Sequence, residues 1–210
     1  MDRAKLKQLA KRRLDGRVVI CFALMLLVCF AFMILGVIPT IGWLATIILS
    51  GPVALSTTLI FYKVAIKNKT PEIEDLMYGF SDDNFLRGMV GYLLYSIFTF
   101  LWSPLLIVPG IIKAISYSQM YYIMIDHPEM DASAAIKKSM QLMEGHKWEY
   151  FVLELSFIPW YLLVGLTFGL MYIWVGPYVA TTKAAYYREI SSVKSQVIAA
   201  AKKTAKKLQK

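Results

Sequence analysis

Three ionisable side chains fall inside otherwise apolar runs of this chain: Lys113, Glu154 and Lys183. Placing a charge in lipid is expensive, so such residues mark either a paired structural element or a functional path. Glu154 follows Trp148 by six residues and Lys183 precedes Arg188 by five. At 1.5 Å per residue they sit about 9 Å and about 7–8 Å from the same end of two neighbouring runs. They are expected to approach each other, either as an ion pair that locks a hairpin or as a proton or substrate relay. Lys113 lies about one turn from the end of its run, close enough to snorkel.

Gly51-Pro52 interrupts another run, and Gly176-Pro177 interrupts the run that holds Lys183. Such pairs open backbone groups to a central site in transporters with broken helices; kinks that serve packing alone are the plainer alternative. With Glu154 and Lys183 they make up the candidate binding residues. No catalytic or metal-ligating residue and no cofactor is expected. The chain has no His-Glu-x-x-His, P-loop, Gly-x-Ser-x-Gly or Cys-x-x-Cys motif. His127 and His146 share a polar loop with Asp126, Glu129 and Asp131, but the spacing matches no metal-binding helix face, and Asp126-His127-Pro128 reads as a turn. Cys21 and Cys29 lie in one apolar run and serve as small packing residues. The aromatic pairs Phe61-Tyr62, Tyr121-Tyr122 and Tyr186-Tyr187 end three runs and read as interfacial belts.

These residues need elements to hold them, and the composition says of what kind. The 210 residues are 58% hydrophobic and 18% charged, against about 45–50% and about 25% for soluble domains. This excludes a disordered chain, a disulfide scaffold and most soluble enzymes. Six apolar runs follow one another, at about 18–37, 41–66, 89–108, 110–125, 148–166 and 170–187. The first is too long, and too directly joined to the second, for a cleaved leader. The turns at 38–41, 103–110 and 166–170 carry no charge, and the lysines and arginines outside the spans fall in 1–17, 63–87, 137–147 and 183–210. That alternation places both termini in the cytoplasm by the positive-inside rule. The net charge of +9 is therefore a topology signal. The tail from Ser191 mixes lysines with Val193, Val197, Ile198 and Leu208, which suits an anionic membrane surface. It lacks the arginines and aromatics that nucleic-acid binding would use.

The chain also reads as one unit used three times. Each unit opens with a short amphipathic stretch, at Leu6–Leu14, 71–79 and 131–144, and closes it with an apolar residue, a spacer and a glycine: Leu14-Asp15-Gly16, Met77-Tyr78-Gly79, Met143-Glu144-Gly145. Thr70 and Asp131 are the expected caps of the second and third. A hairpin of two runs follows each time, always in the same direction, which suggests a pseudo-threefold axis along the membrane normal. Gly51-Pro52, Thr57, Phe61-Tyr62 and Lys63 line up with Gly176-Pro177, Thr182, Tyr186-Tyr187 and Arg188 at a constant offset of 125.

From Gly110 to Tyr187 the sequence resembles a bacterial multi-pass membrane family, domain of unknown function 975. The resemblance rests on Ser116-Tyr117, Tyr121, Asp126, Pro128, Ala135-Ile136, Ser139, Met143 and Gly145-His146-Lys147-Trp148, then on Leu155-Ser156-Phe157-Ile158, Trp160, Thr167, Gly169, Pro177-Tyr178, Thr182, Ala184 and Tyr187. The first half matches more loosely, with Val18-Val19 where a tryptophan is expected. The resemblance implies a six-span plasma-membrane protein and brings no activity or catalytic residue with it.

The expected molecule is thus all-α: a polytopic bundle of six transmembrane helices, arranged as three parallel-repeat hairpins with short interfacial helices. Residues 1–190 form the membrane domain, in units of about 1–66, 67–126 and 127–190, and 191–210 form a basic amphipathic or disordered tail. Its expected work is non-enzymatic: binding or moving a hydrophobic or amphipathic molecule, or supporting other membrane proteins. The alternative is a compact transporter with a path along the threefold axis. Membrane lipid is the expected partner, with other membrane proteins or a second copy as further ones, and no nucleic acid. A cysteine placed at Lys69 or Lys138 should therefore stay unmodified when intact cells meet an impermeant thiol reagent; labelling from outside would overturn the topology.

Overall fold

The computed structural model describes residues 3–37, 41–102, 107–167 and 169–208. The chain is helical throughout, with no strand among the described residues. Three stretches are helical, long enough and apolar enough to cross a membrane: Val18–Val37, Leu44–Lys67 and Lys147–Leu166. The expected turn at 38–41 and much of the one at 103–110 lie outside the described residues.

Helix α1 (Arg3–Leu14) puts Leu6, Ala10 and Leu14 on one buried face, and that face packs against the last helix. Helix α2 (Val18–Val37) is apolar on all sides and mostly exposed, as a lipid-facing span must be. Helix α3 (Ile41–Tyr62) is central and packs against α2, α4, α6 and α10. It runs into a π-helical turn (Lys63–Lys67) that Asn68 ends in the left-handed conformation, φ 52°. Arg17 donates to the Asn68 side chain (2.8 Å) and carbonyl (3.1 Å), which ties the α1–α2 hinge to the end of α3.

The second amphipathic stretch forms a 3-10 helix (Ile73–Phe80). Its cap is Glu72 rather than Thr70, with Asp75 accepting in return from the Glu72 N–H at 3.0 Å. Gly79 does not act as a left-handed stop there. A Cβ on it would lie 2.0 Å from the Pro52 carbonyl oxygen, and its N–H donates to Ser56 Oγ at 2.8 Å. Gly51 meets Gly88 in the same way: an added Cβ would fall 2.2 Å from the Gly88 oxygen. The three glycines let the 3-10 helix and α4 (Asp82–Trp102) press directly onto the α3 backbone at Pro52. At the other two units the glycine stop is present, with φ +72° at Gly16 and +84° at Gly145.

The fourth and fifth apolar runs are each broken. Residues 107–125 divide at Ser118-Gln119 into α5 (Ile107–Tyr117) and α6 (Met120–Asp126). Pro109-Gly110, expected where the third run gives way to the fourth, lies in the first turn of α5. Ser139 of α7 (Ala132–Leu142) repairs the break at Ser118-Gln119: its hydroxyl donates to the Ser116 carbonyl (2.7 Å) and accepts from the Gln119 N–H (3.2 Å). Asp131 caps α7, accepting from the Ala134 N–H at 3.0 Å. The fifth run divides at Ser156-Phe157 into α8 (Lys147–Leu155) and α9 (Ile158–Leu166). Here Lys7 of α1 donates to the freed Ser156 carbonyl (3.3 Å) and sits over the Phe157 ring. In both cases an amphipathic helix of the base satisfies backbone groups that lipid cannot.

Helix α10 (Tyr172–Leu208) is unbroken over 37 residues, about 55 Å at the standard rise. The boundary expected at residue 191 is therefore not a boundary of secondary structure. Arg87 of α4 closes the bundle on the other side by donating to the Met124, His127 and Met130 carbonyls at the end of α6, at 2.9–3.2 Å.

The close approaches on α3 yield a graded expectation. Gly51→Ala and Gly79→Ala force backbone apart and should each lower stability by about 1–3 kcal/mol. Gly36→Ala, whose Cβ meets nothing within 4 Å, should be neutral or slightly stabilising. Thermal unfolding of the purified variants in one detergent reads the order.

Candidate functional site

Glu154 of α8 and Lys183 of α10 meet as an ion pair, Nζ to Oε1 2.7 Å. The two side chains are about equally screened, 29% and 28% exposed. The pair does not stand alone. It forms one wall of a cavity of about 460 Å³ to which α3 contributes Ala54 and Thr58, and α4 Tyr92 and Tyr95. Tyr117 and Ser118 come from the α5–α6 break, Tyr121 and Tyr122 from α6, and Tyr150 from α8. The volume suits a drug-sized ligand or a lipid head group. The lining is aromatic and polar rather than aliphatic. The Tyr121 hydroxyl is buried and has no hydrogen-bond partner among the described residues, a state that is rare in native structures and calls for an explanation.

Beside this cavity the second tyrosine of each expected pair converges on one place. Tyr122 stacks on Tyr187, with ring centroids 5.1 Å apart and planes at 17°. Tyr62 leans on Tyr187 with centroids 6.5 Å apart. Tyr62 and Tyr187 both donate to the Asp126 carboxylate, Tyr187 at 2.5 Å. All three tyrosines are at least nine-tenths buried. They are not an interfacial belt, as their place at the ends of apolar runs suggested, but a knot in the core. Two signals for it were present in the sequence: the pairs recur in all three units, and Asp126 follows one of them by a single turn. The first member of the last pair, Tyr186, is buried too, with its hydroxyl on the His146 carbonyl at 3.1 Å.

A second cavity, of about 340 Å³, is lined by Tyr187 and Asp126 together with His127, Lys138, Ser191 and Lys194. The His127 ring sits between Glu129 (3.1 Å) and Lys138 (2.6 Å). A backbone N–H of its own residue, and then the His127 ring, hold the Glu129 carboxyl below its usual range. Among the described residues no group of three or more His, Cys, Asp or Glu side chains is arranged to hold a metal ion.

The Gly-Pro pairs are placed apart from the ion pair. Gly51-Pro52 is the contact point of α3 with α4 and the 3-10 helix, less than one turn before Ala54 and about two turns before Thr58. Gly176-Pro177 is buried in α10, where an added Cβ at Gly176 would meet the Tyr172 ring of its own helix at 3.1 Å. Neither pair lines the cavity.

Three helical stretches long and apolar enough to cross a membrane suit a membrane protein, and beside them an ion pair and six tyrosines line one open cavity. The family model described as protein of unknown function DUF975 matches residues 1–116 and 105–194. The chain belongs to this family. No curated protein and no solved structure matches it significantly.

The ion pair has a measurable consequence. Glu154→Gln leaves the Lys183 ammonium without its partner. Losing one half of a fully buried pair costs roughly 3–5 kcal/mol, and at this partial exposure the loss should fall to about 1–3 kcal/mol. Exchanging the two residues, Glu154→Lys with Lys183→Glu, should restore part of it in thermal unfolding. Equal losses in the single variant and the exchange would show that the pair contributes nothing.

Proposed function

We propose that this protein is a non-enzymatic integral protein of the cytoplasmic membrane that binds or moves an amphipathic molecule whose polar part enters the tyrosine-lined cavity. The observation that carries this reading is the cavity itself. A membrane scaffold needs only a packed core and free outer grooves, whereas here an ion pair, six tyrosines and a broken helix line one open cavity. Second, fourth and sixth runs all contribute to its wall, through α3, α5–α6 and α10. We further propose six spans in three parallel hairpins with both termini in the cytoplasm. The alternation of charged and uncharged connections supports this, as does the meeting of Tyr62, Tyr122 and Tyr187, one from each unit.

The transporter reading draws on a separate observation. One cavity is lined by Tyr122 and the other by Tyr187 and Asp126, and the Tyr122 and Tyr187 rings stack on each other. Discontinuous helices beside them resemble the arrangement by which transporters expose backbone groups to a substrate.

The test is what the protein carries. Mass spectrometry of the detergent-extracted full chain should find an amphipathic compound enriched over the bulk lipid extract. That compound should be lost from the Glu154→Gln/Lys183→Met double variant, which removes both charges together and so keeps the fold. Identical profiles from the two proteins would remove the cavity as the binding site and leave the supporting role for other membrane proteins.

A further inference from the structure

The proposed cavity also carries information about the charge of what enters it, and this step rests on the reading of that cavity as a binding site. Of the residues lining it, Glu154 and Lys183 are the charged ones, one of each sign, 2.7 Å apart. Both are largely removed from water. A ligand of a single charge would pair with one of them and strand the other, and an unpaired charge in such surroundings is strongly disfavoured. A ligand carrying one charge of each sign exchanges one internal ion pair for two intermolecular ones and strands nothing. The remaining lining fits both halves. Tyrosine faces attract an ammonium group through their ring quadrupole. Tyr121 lines the cavity, and its hydroxyl, covered and without a partner among the described residues, is a donor that a phosphate or carboxylate oxygen reaching it would satisfy.

We propose that the cavity selects a zwitterionic group, an ammonium and a phosphate or carboxylate within a few bonds of each other, with Glu154 taking the cation and Lys183 and Tyr121 the anion. The same chemistry occurs in a free amino-acid-like solute and in the head group of an ethanolamine phospholipid. The experiment separates these sources.

The full chain in a nonionic detergent is unfolded thermally with phosphoethanolamine, with glycine betaine, and with added phosphatidylethanolamine, phosphatidylglycerol or a neutral glycosyl diacylglycerol. The expected result is a raised midpoint with the zwitterionic compounds and none with the anionic or the neutral lipid. Protection by the free compounds assigns a soluble ligand; protection by phosphatidylethanolamine alone assigns a lipid head. Tyr121→Phe, which removes one oxygen and leaves the packing, should weaken the apparent affinity about tenfold, as expected for one hydrogen bond to a charged group. The Glu154→Gln/Lys183→Met variant should abolish the response. If phosphatidylglycerol or the glycolipid protects equally and these variants remove that effect, the zwitterion is overturned while the cavity stands as a binding site. If no compound gives a protection that depends on Tyr121, Glu154 or Lys183, the binding reading falls with it.

Discussion

A backbone carbonyl or N–H released from a helix inside a membrane has no water to turn to, and the rest of this structure follows from how those groups are satisfied. Two apolar runs break, at Ser118-Gln119 and at Ser156-Phe157. Each break is repaired by a side chain from an amphipathic helix at the base: Ser139 bridges both ends of the first, and Lys7 takes the carbonyl of the second. The base helices are therefore not only interfacial anchors. They supply the partners that the broken helices need, and the first break is where Ser118 and Tyr117 reach the cavity. The buried faces of α1 and α7 point into the bundle for the same reason.

The second constraint is close packing without side chains. Gly51, Gly79 and Gly88 bring three backbones within contact at Pro52. Association of helices in lipid relies on such contacts, because lipid tails are as apolar as the side chains and leave little hydrophobic gain between helices. This anchoring holds α3 against α4. It positions Thr58 and Tyr62, about two and about three turns further along α3, for the cavity and for the tyrosine knot. The role of Gly51-Pro52 is thus to place the site's wall rather than to form it.

The knot and the ion pair have the same logic at the level of side chains. Asp126 lies at the end of α6, and two tyrosine hydroxyls from α3 and α10 donate to it. Glu154 and Lys183 offset each other between α8 and α10. Polar groups that could not stay in lipid singly are stable because elements distant in sequence bring their partners. These pairings also link α3, α6, α8 and α10, so the polar contacts and the tertiary arrangement are one feature.

Much of this was legible along the chain, for physical reasons tied to particular residues. A helical membrane class follows from uninterrupted apolar runs such as Val18–Val37, since only helices and closed barrels satisfy their own backbone in lipid. The approach of Glu154 and Lys183 follows from equal depth in neighbouring antiparallel runs. Asp131 as a cap and Gly16 and Gly145 as stops are local choices, decided by a few adjacent residues. What the sequence could not decide was which alternative a residue would take when both satisfied local rules. Tyr62, Tyr122 and Tyr187 suit an interfacial belt as well as a core, and only the convergence of three helices on Asp126 removed them from the interface. Gly79 suits a helix stop as well as a contact, and Pro52, 27 positions earlier, settled it. The breaks at 118 and 156 carry no proline or glycine at the break itself. They depend on Ser139 and Lys7, supplied by other elements, and a partner's position in space is the one thing that spacing along a chain does not contain.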